Sequence, residues 1–160
     1  MDIQKHQNGI RLGAGSTNIY INSDDEVASG VIVSTDTEST LTTTDERLII
    51  EGPGEYEFKG IYIRLLKKNG ILSATFNYNE REIYFTTSDG IESIPDGGMY
   101  DAVVVQVKPE FDTSKITNFS YPTAFLDSSN ILEGKIEAEK VKNINTKKLT
   151  PEGGRMFILQ

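Results

Sequence analysis

Short runs of β-branched and aromatic residues recur along almost the whole chain, and Gly, Asn, Asp or Pro bounds nearly all of them. They lie at 17–22, 31–33, 48–50, 56–66, 71–78, 83–87, 102–107, 123–126 and 156–159. Leu72, Ala74, Phe76 and Tyr78 share one face and Ser73, Thr75 and Asn77 the other, the pattern of a half-buried antiparallel strand. Residues 102–107 (AVVVQV) are apolar on both faces, which predicts a central strand covered on both sides. The stretch 55–66 changes face at Gly60: Tyr56 and Phe58 are its apolar members before the glycine, and Ile61, Ile63 and Leu65 after it. A strand cannot exchange its buried face unaided, so the pattern predicts an extra residue, a bend or a change of layer at Gly60.

Helical patterning is scarce. Residues 131–142 (ILEGKIEAEKVK) include good helix formers, but Gly134 interrupts them. Residues 35–46 are rich in Thr and Ser, which favour strands, caps and turns. The predicted fold class is mostly β with few short helices, a two-layer β-sandwich forming a single domain over residues 1–160 with no linker or repeat.

Composition narrows the chemistry. The chain has 160 residues, 16 basic and 24 acidic side chains, one histidine and no cysteine. Thiolate metal sites, disulfides and cysteine nucleophiles are excluded, as is any site built from two imidazoles. A net charge of −8 disfavours nucleic acid and anionic membrane surfaces as partners. No apolar run approaches the ~18 residues of a membrane span, and the opening MDIQKHQNG has no hydrophobic signal core, so the chain reads as cytoplasmic.

Local motifs mostly read as turns. Gly13-Ala14-Gly15-Ser16 lacks the Gly-Lys of a phosphate loop and reads as a hairpin turn. Asp89-Gly90 and Asp96-Gly97 are turn pairs, and Asp24-Asp25-Glu26 lacks the alternating spacing of a calcium loop. His6, the one imidazole, has no local partner motif and reads as a surface or structural residue. Lys147-Lys148 has no aromatic interleaving and does not read as a nucleic-acid surface.

One string is specific. Residues 50–61, IEGPGEYEFKGI, resemble a mid-chain segment of small prokaryotic metallo-β-lactamase-fold hydrolases of the lactonase-like type. From that anchor, residues 5–12 (KHQNGIRL) resemble the family's opening strand, 18–23 the strand that ends in Asp-Pro, 101–107 a core strand, and 141–160 the terminal hairpin. The resemblance implies a reduced version of the family's αββα sandwich. It also aligns the family's Ser-His-x-His-x-Asp-His motif with residues 34–40, where the histidines have become Thr35, Thr37 and Thr40 and the aspartate Ser39. Another family histidine falls on a loop that is shortened here to 67–70, and the last aligns with Ser128. The bridging aspartate is kept as Asp89.

Hydroxyls are poor zinc ligands at neutral pH, and one carboxylate cannot hold the metal. The resemblance therefore implies a zinc-free pseudoenzyme, with no catalytic residue, metal or cofactor and a vestigial binding site at His6, Thr35, Thr37, Ser39, Thr40, Asp89 and Ser128. The chain is expected not to be an enzyme but a binding or structural module, a homo-oligomer or bound to a protein partner through its sheet faces. The alternative is a hydrolase of altered, metal-independent mechanism on a small polar substrate, using Asp89, Asp127 or His6.

Overall fold

The computed structural model describes residues 1–23, 29–34, 46–97, 99–117, 119–150 and 154–160. The two-residue period becomes two stacked sheets. The smaller sheet holds β1 (Asp2–His6), β2 (Gly9–Ala14), β3 (Thr17–Ile21), β4 (Gly30–Val33), β5 (Arg47–Ile50) and β13 (Asn143–Asn145), in the order β13-β1-β2-β3-β4-β5. The larger holds β6 (Gly54–Phe58), β7 (Ile61–Lys68), β8 (Ile71–Tyr78), β9 (Arg81–Thr87), β10 (Ala102–Gln106), β11 (Thr123–Leu126), β12 (Glu139–Val141) and β14 (Met156–Leu159). Its order is β12-β14-β11-β10-β9-β8-β7-β6.

Each sheet is mixed. β6 to β9 form an antiparallel meander, whereas β9, β10, β11 and β14 run parallel. In the small sheet β1, β2 and β3 are antiparallel and β3, β4 and β5 parallel. Helical structure among the described residues is confined to short 3-10 turns at Ser88–Ser93, Thr113–Lys115 and Thr146–Lys148. None of the described helices is long and apolar enough to cross a membrane.

The inward faces make one apolar layer. Ile3, Leu12, Ile19, Ile21 and Val33 of the small sheet meet Ile63, Leu65, Phe76, Phe85 and Val104 of the large one. Burial of each such side chain favours folding by about 1.5–3 kcal/mol before the entropy of ordering is charged against it. A second apolar cluster lies on the outer side of the large sheet, where Tyr84, Val103, Val105, Phe125 and Ile158 pack under Ile91, Ile94 and Leu132. β10 is therefore buried on both faces, as its sequence predicts: Ala102 and Val104 point to the inner layer, Val103 and Val105 to the outer.

Three expectations need correction. The face change at Gly60 is a chain reversal rather than a bend in one strand: Phe58 pairs with Ile61 across the Lys59-Gly60 turn. Both turn residues have positive φ (50° and 77°), the requirement of a type I′ hairpin. The stretch 131–142 forms turns and then β12, because Gly134 adopts φ 70° and breaks any helix there. The opening segment 5–12 is not one strand but the β1–β2 hairpin, with Gln7 at φ 53° in its turn. Most of the Thr/Ser-rich stretch 35–46 lies outside the described residues.

Candidate functional site

Parallel strands gather their C-terminal ends at one edge, and chemistry on sheets of this kind is commonly built there. At that edge Asn22 follows β3, Ser88 and Asp89 follow β9, Gln106 ends β10 with Val107 and Lys108 beyond it, and Asp127 and Ser128 follow β11. The two sheets are tied together there. Asn22 Nδ2 donates to Gln106 Oε1 at 2.7 Å, and Gln106 Nε2 donates to the Asn8 carbonyl at 3.2 Å. The Asn22 backbone N–H in turn donates to the Val33 carbonyl at 2.9 Å. An amide bridge thus spans the junction of the sheets.

Asp89 lies in the 3-10 turn directly after β9, and its carboxylate accepts from Lys108 Nζ at 2.8 Å. The Lys108 backbone N–H donates to Ser88 Oγ at 3.1 Å, which fixes the two strand ends to each other. Both charged side chains are partly exposed, so the pair contributes little to stability but sets the local charge pattern. Asp127 is buried and wholly used by the backbone. One of its oxygens accepts from Ile131 N at 2.9 Å and the other from Leu132 N at 2.7 Å. That carboxylate orders the turn after β11.

His6 stands on the outer side of β1, opposite Ile3, with its ring edge-on to Tyr20 at 4.9 Å. Its Nδ1 is buried without a partner, and its carbonyl accepts from Ser23 Oγ at 3.3 Å. Ser128 is exposed in the turn after Asp127. The structure brings Asp89 to the shared edge, but no hydrogen bond or ion pair joins it to His6 or Ser128 among the described residues. Thr35, Thr37, Ser39 and Thr40 lie outside the described residues.

A zinc ion requires three or four converging N, S or O donors at about 2.0–2.3 Å. Among the described residues no group of three or more His, Cys, Asp or Glu comes together in that way. Asp89 is held by an ammonium and Asp127 by two amides, so the described side chains by themselves do not make a zinc site.

A further concavity, of about 570 Å³, lies on the outer face of β6 to β9 and extends to Thr86 and Gly90, close in the chain to Asp89. Tyr62, Arg64 and Leu66 of β7, Thr75 of β8, Tyr84 of β9 and Tyr100 are among the residues that line it. Tyr62 and Leu66 are 58% and 46% exposed, unusual for large apolar groups. Burial, and then the nearby Glu82 carboxylate, push the Tyr100 phenol above its ordinary pKa. Burial pushes Tyr121 in the same direction, and its hydroxyl donates to the Pro95 carbonyl at 3.2 Å. The sequence pointed to association through a sheet face but singled out neither Tyr62 nor Leu66. The signal was available in the alternation of β7, where Tyr62 and Leu66 share the parity of Arg64 and Lys68.

No protein-family profile matches the chain, and no curated protein does. Among solved structures, a protein of Thermotoga maritima named as a candidate Zn-dependent hydrolase of the metallo-β-lactamase superfamily matches it with a TM-score of 0.67. The match covers 99% of this chain and 98% of that one, at 12% identity. It overturns the expectation that the chain is not an enzyme: a structure that pairs with nearly its whole length is named as a candidate hydrolase. At this identity what the two proteins share is the fold.

Proposed function

We propose that this chain works as a protein-binding module on the metallo-β-lactamase fold, with the outer face of β6, β7 and β8 as its working surface. The observation that carries this reading is the exposure of Tyr62 (58%) and Leu66 (46%) beside a concavity of about 570 Å³. Elsewhere on the same side of the same sheet Val103, Val105 and Phe125 are fully buried. Large exposed apolar side chains grouped at a concavity mark interaction sites, and Tyr is among the residues enriched in them. A paired Tyr62→Ser and Leu66→Ser variant tests the reading. It should lose association with its partner in solution while unfolding at the same denaturant concentration as the parent. Retained association would overturn the reading.

A second reading, a hydrolase of altered and metal-independent mechanism, is favoured by one observation: Ser88, Asp89 and Lys108 meet where the parallel strands end. A charged pair with a neighbouring hydroxyl can orient a small polar substrate. Lactonase or phosphodiesterase turnover that persists in chelator and disappears in Asp89→Asn would support it. Turnover indifferent to Asp89→Asn would remove it.

A further inference from the structure

Resting on the reading that the outer face of β6 to β8 docks a protein, we propose that its occupant is a second copy of this chain, packed face to face with its strands antiparallel. Strand register arranges the face in rows. Glu57 lies beside Tyr62 in the first row, Glu55 beside Arg64 in the second, Leu66 beside Ser73 in the third, and Lys68 beside Ile71 in the fourth. Negative charge thus sits at one end of the face and Lys68 at the other. Between them the Arg64 guanidinium is already matched to Glu55 at 3.4 Å.

Two face-to-face arrangements about a two-fold axis between the sheets keep the strands of the two copies aligned. With the axis along the strands, rows stack on themselves and the Glu57 row of one copy faces the acidic row of the other, which like charge disfavours. With the axis across the strands, between the Arg64 and Leu66 rows, β7 crosses β7 of the second copy in the opposite direction. Lys68 of each copy then lies over Tyr62 of the other and within reach of Glu57, and Leu66 lies over the stem of Arg64. Every contact occurs twice, as an isologous interface requires. The ammonium above the Tyr62 ring adds a cation–π contact. Charge therefore selects the antiparallel arrangement.

The size of the face sets the strength. Three strands about 4.8 Å apart and four rows, two residues apart at about 3.3 Å per residue, cover about 400 Å², less than the ~800 Å² per partner of a standard stable interface. The dimer is accordingly weak and reversible, dissociating at micromolar concentrations or above. Each chain carries −8, so salt screens overall repulsion as well as face contacts. A charge swap is diagnostic where a salt series is not.

Sedimentation equilibrium of the full chain from about 5 µM to about 1 mM samples such concentrations. The parent should show a monomer–dimer equilibrium. Lys68→Glu and Glu57→Lys should each weaken it about tenfold, and the two together should recover most of the loss. A parent that stays monomeric throughout overturns the proposal. So does a dimer whose affinity ignores both reversals and their combination. The wider reading is judged separately by a photo-crosslinking residue at position 62: capture of a different protein at that position leaves protein docking standing while the self-association is abandoned. A dimer unaffected by Tyr62→Ser with Leu66→Ser brings down both.

Discussion

Across the outer face of the large sheet, β9, β10, β11 and β14 lie under chain from the 88–138 region, whereas β6, β7 and β8 keep Tyr62 and Leu66 open to solvent. The difference follows from topology. Parallel neighbours cannot be joined by a tight turn, so each connection must cross back over a face of the sheet. Here the crossovers carry Ile91, Ile94, Tyr121 and Leu132, which seal Val103, Val105 and Phe125. Antiparallel neighbours need only two residues between strands, and the meander uses just that at Lys59-Gly60, Asn69-Gly70 and Asn79-Glu80. No connecting chain is left over to cover it. The outward residues adapted accordingly, with Arg64, Thr75 and Asn77 where the covered half has valine and phenylalanine. Tyr62 and Leu66 are the exceptions that point to a use.

The sharpest break in this comparison comes from Phe125→Ala in the covered half. It removes a fully buried ring from beneath the crossovers and should cost about 3–5 kcal/mol in chemical denaturation. A loss below about 1 kcal/mol would mean that the crossovers do not seal a packed cluster. Next in size is the response to alkali. Tyr100 and Tyr121 have phenols raised above the usual value, chiefly by burial. The neutral form is favoured in the folded state, so their contribution is complete below the unfolded phenol pKa of about 10 and is lost as pH rises through the folded values. Stability should therefore fall on going above about pH 10, and the fall should flatten in Tyr100→Phe with Tyr121→Phe. A pH profile identical in parent and variant would place the alkaline transition elsewhere. The smallest effect belongs to the open half: Tyr62→Ser with Leu66→Ser should change monomer stability by no more than about 1 kcal/mol. A larger loss would show these side chains to be part of the packed fold rather than of a docking face.

Much of the layering was legible because burial on a sheet leaves a two-residue trace. β8 reads out both of its faces, and the doubly apolar β10 announces a strand covered on both sides. β1 was hidden because DIQKH places a single large apolar residue between polar ones, and Gln7 turns the chain without a Gly or Pro of its own. β12 and β13 are three residues long, too short for a period to appear. The edge where the parallel strands end was legible only in part. Asp89 could be placed from a resemblance, but its pairing with Lys108 joins residues brought close only by the parallel alignment of β9 and β10. Asp127 has the composition of a functional carboxylate, and only its two backbone partners reveal a structural one. The Asn22–Gln106 bridge joins different sheets, which no local pattern records.

The tight turns of the meander also bear on the order in which the chain assembles. Each strand from β6 to β9 meets its neighbour across two residues, so closing those contacts costs little chain entropy. Hairpins of this kind form in about 1–10 µs, long before distant segments are brought together. By contrast, β14 must find β11 across some 30 intervening residues. Conservative substitutions in β7 and β8 should accordingly slow refolding, and those in β14 should mainly hasten unfolding. The segment that lacks a cover in the finished protein is then the one on which the remainder of the sheet is laid down.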